Sequence, residues 1–109
     1  MESWGGRCPL SGLSNPKLLR ASHIKRWADS TNEERLSPHN GILLAAHWDA
    51  AFDCGLISFA DDGRVIVSEQ LSQSDRVALR LPELASVRFM PPHIPFLESH
   101  RKRYGFRLA

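Results

Sequence analysis

A chain of 109 residues suits one domain and is too short for two ordinary ones. Its 42% hydrophobic and 24% charged residues are ordinary for a globular domain, and no stretch supplies the ~20 apolar residues needed to cross a bilayer. The formal charge of +2 permits a polyanionic partner without indicating one. The two cysteines, Cys8 and Cys54, lie outside any CxxC spacing, which excludes four-cysteine structural zinc and argues against a disulfide framework.

The opening "MESWGGRCPLSG" has neither a basic n-region nor an apolar h-region, so no secretory signal is expected and a cytoplasmic setting is. Residues 8–16 are rich in Pro, Gly, Ser and Asn and read as turns. Residues 17–24 read as a strand ending on His23. Residues 28–41 are polar and carry Pro38 and Gly41, which predicts a loop with room for a helical turn in "NEER". "GILL" at 41–44 is a short apolar run of the kind a buried strand shows. "AAHWDAAFDCG", 45–55, predicts a short helix closed by Gly55.

Two strand-like runs then flank Asp62-Gly63, a strong hairpin signal. "SQSDRVALRL" predicts a short helix with Ser72 or Ser74 as its N-cap. A proline-punctuated connection at 81–93 leads to a terminal helix, with Pro95 in its first turn and Gly105 past its end. The basic run "ESHRKRYGFR" on that helix reads as a solvated face, and Trp27, Trp48 and Phe52 read as core. The expected fold is α+β, with a strand–strand–helix unit at 17–55.

Three residues fall at element edges: His23 at the end of the first strand, Asn40 before the second, and His47 at the start of the helix. An imidazole, titrating near about 6.5, suits general-base work at neutral pH. An amide side chain donates and accepts together, which is what a loop lock needs. Read as structure alone, His23 would be a strand-end residue and Asn40 an ordinary turn residue before Gly41.

"RASHIKRW", "HNGILLAAHWDAAFDCGLISF" and the spacing between them resemble the HNH endonucleases, in particular their cysteine-poor subfamily, over roughly residues 8–60. The resemblance implies a ββα-metal (His-Me finger) core, here with an added β-hairpin and C-terminal helices. It implies hydrolysis of nucleic-acid phosphodiesters with one divalent cation. Mg²⁺ or Mn²⁺ is expected, with Ni²⁺ or Zn²⁺ as alternatives, and no structural zinc. His23 matches the family's general base, and Asn40 the asparagine that ties down the loop and orients that base.

The helical metal ligand of many relatives falls nine residues after the asparagine, where this chain has Asp49, with His47 two residues earlier. Asp49 and His47 are expected as ligands, and Asp53, four residues on from Asp49, as a ligand or a supporting group. Ser22 stands where relatives often have a metal-binding aspartate, which leaves water and substrate phosphate to complete the ion. Arg20, Lys25 and Arg26 flank the base where a phosphate backbone would lie.

The resemblance further implies double-stranded DNA as partner, no membrane, a homodimer if both strands are cut, and a targeting domain in a larger protein. A restriction or phage-defence role is the expected context. The competing expectation is a catalytically inactive nucleic-acid-binding module on the same fold.

Overall fold

The computed structural model describes residues 4–80 and 86–107. Strand β1 (Leu19–His23) pairs antiparallel with β2 (Gly41–Ala45), so that His23 lies opposite Gly41 and Leu19 opposite Ala45. Between them lie a single 3-10 turn at Trp27–Asp29 and helix α1 (Asn32–Leu36). Helix α1 is the "NEER" turn. Thr31 caps it, accepting from the Glu34 N–H at 3.1 Å, while the Glu34 carboxylate accepts the Thr31 N–H at 2.8 Å. This reciprocal capping satisfies two donors that a five-residue helix would otherwise leave bare.

Helix α2 (Ala46–Asp53) follows β2 directly and packs on both strands. It ends where Gly55 takes φ +80°, which the predicted C-cap required. A second hairpin follows, β3 (Ile57–Phe59) with β4 (Val65–Val67), turning through Asp62-Gly63. Gly63 has φ +88°, and a Cβ there would collide with the Val87 carbonyl, so the turn needs glycine on two counts. Helix α3 (Gln73–Leu79) is capped by Ser72 rather than Ser74, and helix α4 (Ile94–Tyr104) closes the chain. Residues 81–85 of the proline-punctuated connection lie outside the described residues.

Ile42, Leu44, Trp48, Phe52, Phe59 and Leu97 meet in one core, each fully or almost fully buried. Trp48 and Phe52 are core residues, as the sequence predicts. Trp27 is not: it is 56% exposed. No helix is long and apolar enough to cross a membrane among the described residues.

Helix α4 corrects the reading of its basic run as a solvated face. Lys102 and Arg103 are exposed, but His100 and Arg101 are buried. Arg101 donates to the Phe59 carbonyl at 2.9 Å and pairs with Asp61 at 2.8 Å. His100 stacks flat on Phe52, with ring centroids 3.9 Å apart. Its Nε2 is 2.8 Å from the Phe52 carbonyl oxygen, which only accepts, so Nε2 carries the proton. Nδ1 is then bare and accepts the Ser58 hydroxyl at 2.7 Å. One neutral ring thus joins α2, β3 and α4.

Burial pushes the His100 pKa down to about 4; the Phe52 bond resists the shift and Arg101 adds to it. The unfolded chain therefore binds this proton more readily than the folded one. Stability conferred by the neutral ring is intact above about pH 6.5 and falls as the pH drops from there toward 4. By pH 4 the loss is expected to reach about 3 kcal/mol. Urea unfolding at pH 7 and pH 4 measures it, and His100→Gln should show a shallower decline over that window than the unaltered protein.

Candidate active site

The site begins at the loop end of the first hairpin. His23 is the last residue of β1, exposed, with its ring edge-on to Trp27 at 5.4 Å between centroids. Directly across the ladder is Gly41, and beside it Asn40, 2% exposed.

Asn40 lies at the hub of the loop. Its Oδ1 accepts the Lys25 N–H at 2.7 Å, two residues beyond His23. Its Nδ2 donates to the Glu34 carbonyl at 3.1 Å and reaches Ser30 Oγ at 3.5 Å. One amide therefore fixes the chain leaving His23, the turn after it, and helix α1. A carboxylate cannot donate at neutral pH, and a hydroxyl has one donor on a single atom where the amide has two donors and a separate acceptor oxygen. Ser30 adds to the lock, its hydroxyl donating to the Arg26 carbonyl at 2.8 Å.

Lys25 supports the same loop. Its ammonium lies 2.9 and 3.0 Å from the two carboxylate oxygens of Glu34, with both side chains about a quarter exposed. Lys25 in turn holds the Glu34 carboxyl below its usual range. Of the three cations expected beside the base, Lys25 is thus engaged by Glu34. Arg20 folds back on its own strand, donating to the Leu19 carbonyl at 2.8 Å. Three residues from His23 on a regularly paired strand, it also points to the opposite face. Arg26 remains half-buried on the loop beside His23. A further cation, Arg35, is brought in by α1: its guanidinium lies 4.5 Å over the Trp27 ring, and its Nε donates to the Trp27 carbonyl at 3.0 Å. A sequence separation of eight residues across a turn hid this pairing.

Helix α2 divides the expected ligands between two faces. His47 shares its face with Ala50, Ala51 and Cys54, and with them lines a cleft of about 340 Å³ closed by Leu71 and Leu79. Asp49 is some 200° further round, with Asp53 one turn beyond it. Asp53 is at the end of α2 nearer the β1 loop: Tyr104 Oη donates to its carbonyl, and the same phenol feels the charge of Arg26. Burial raises the Tyr104 pKa, with Arg26 opposing. Among the described residues, no three His, Cys, Asp or Glu side chains are grouped to hold an ion. A cage of His47, Asp49 and Asp53 therefore does not form. What fits is narrower. Two carboxylates one turn apart on a helix, Asp49 half-buried and Asp53 exposed, would suit a hard cation that keeps several of its waters. Cys8 is buried, Cys54 exposed, and both thiols are free.

The arrangement is a strand-end histidine, an asparagine-locked loop and a following helix, and it coincides with the segment that an HNH endonuclease family profile matches, residues 8–60. Residues 8–60 belong to the HNH endonucleases. Among solved structures, the chain is similar to a modification dependent TagI restriction endonuclease, with a TM-score of 0.61 and 18% identity over 94% of this chain. That likeness is one of fold, and it extends past residue 60 to the second hairpin and the C-terminal helices of this chain. The chain spans 35% of the length of that neighbour. No curated protein is similar enough to count as a relative.

Proposed function

We propose that this HNH domain is a metal-dependent endonuclease that hydrolyses DNA phosphodiester bonds, in a restriction or defence setting. The observation that carries the reading is the Asn40 lock, because it holds the backbone after His23 at 2.7 Å on one side and α1 at 3.1 Å on the other. A general base must meet its water within hydrogen-bond reach, and a wandering strand end would not.

In this reading, the exposed His23 imidazole takes the proton of the attacking water. Asn40 keeps the strand end fixed while it does so. Arg26 and Arg35 offer charge to the phosphates on either side, where such contacts position the strand but carry no sequence information. Asp49, with Asp53, would hold a divalent ion, Mg²⁺ or Mn²⁺ by donor type. Such an ion supplies charge to the phosphate and to the departing 3′ oxygen. Sequence choice would then come from another domain, in keeping with the modification dependent enzyme whose fold this chain shares.

Incubation with supercoiled plasmid tests the proposal. Nicking is expected with Mg²⁺ or Mn²⁺ and is expected to vanish with EDTA. Nicking undiminished by EDTA would remove the ion from the mechanism. DNA binding without nicking under any ion would instead identify an inactive binding module.

A further inference from the structure

Among the described residues, Trp27 is the one large aromatic side chain at the mouth of the site, and its setting is unlike that of a misplaced core residue. It is 56% exposed, yet it is held. Arg35 covers the ring at 4.5 Å and is itself fixed by a 3.0 Å hydrogen bond to the Trp27 carbonyl. His23 lies against it with 5.4 Å between centroids. Burying an indole is strongly favourable, so an exposed one held rigid by a cation is a platform whose ordering has been met before any ligand arrives.

Resting on the nuclease reading above, we propose that Trp27 stacks on an unpaired nucleobase beside the scissile phosphate, so that the preferred substrate is a DNA strand locally out of its duplex stack. Distance supports this. Successive nucleotides along one strand rise about 3.4 Å in the duplex and lie further apart once unstacked. A ring 5.4 Å from the base that serves the phosphate therefore reaches the nucleotide one or two steps away. Chemistry supports it too. A nucleobase in duplex DNA shows only its edges, whereas an unstacked base shows a π face, which is what an indole takes up. Arg35 and Arg26 place positive charge where the flanking phosphates of that strand would run.

Anisotropy in EDTA, which allows binding without cleavage, tests the proposal with a labelled 12-nucleotide single strand and the fully paired duplex of the same sequence. Trp27→Ala is expected to weaken single-strand binding by about 5- to 150-fold. Trp27→Phe should retain most of the affinity, and duplex binding should change little. Thermal melting of each variant checks the fold. If Trp27→Ala fails to melt cooperatively, Trp27→Leu replaces it, since leucine keeps an apolar cover on Arg35 but has no π face. Equal losses on both DNA forms, or no loss on the single strand while the unaltered protein nicks plasmid, overturn the stacking proposal and leave the nuclease reading standing. An unaltered protein that binds no DNA overturns both.

Discussion

Replacing His23 by alanine is expected to lower plasmid nicking by about 10²- to 10⁴-fold, the contribution of a positioned general base. The effect should fall on the rate and leave DNA affinity nearly unchanged. His23 is exposed at the end of β1, opposite Gly41, so its removal opens no cavity and costs little stability. A nicking time course with matched binding isotherms separates the two quantities. Nicking that persists in the variant would assign the base elsewhere.

The second large effect is expected at Asn40. In Asn40→Ala, the Lys25 N–H loses its partner beside a side chain that is 2% exposed, while the Glu34 carbonyl keeps only the Ser37 N–H at 3.2 Å. A stranded donor costs about 1–3 kcal/mol, so a loss of about that size is expected in urea unfolding at pH 7. That is a large share of the stability of a domain this size. Asn40→Asp should be nearly as damaging, because a carboxylate can accept from Lys25 but cannot donate to Glu34. Activity should fall further than stability alone explains, since the loop that leaves His23 is untethered even in molecules that remain folded. A variant with unchanged melting and unchanged nicking would show that the lock is dispensable.

Much of this was legible in the sequence because the signals were local. The Asp62-Gly63 turn, Gly55, Ser72, and the apolar run before α2 each specify their own element within a few residues. His23 and Asn40 were legible for a different reason: a distinctive motif places them at the edges of predicted strands. What escaped were pairings between distant or unlike partners. Lys25 reads as a free cation until α1 folds Glu34 onto it. Trp27 reads as core by its size, and only the turn that carries it places it at the surface. His47 and Asp49 are neighbours in sequence but lie on different sides of α2, which a motif spacing of two does not reveal until the helix boundaries are known. His100 and Arg101 sit in a run of charges where burial is the exception, and nothing nearby in the chain announces Ser58, Phe59 or Asp61 as their partners.

That last clamp sets how the domain could be cut down or transplanted. The recurring segment ends at residue 60, but three groups near its end are satisfied from outside it: the Phe52 carbonyl and Ser58 hydroxyl by His100, and the Phe59 carbonyl by Arg101. A fragment trimmed to the recurring segment would bare one face of Phe52 and leave these groups to water in what had been the interior. The unit of inheritance and the unit of folding therefore differ. A graft of this candidate site onto another protein must carry helix α4 with it, even though His23, Asn40, Asp49 and Asp53 all lie outside that helix.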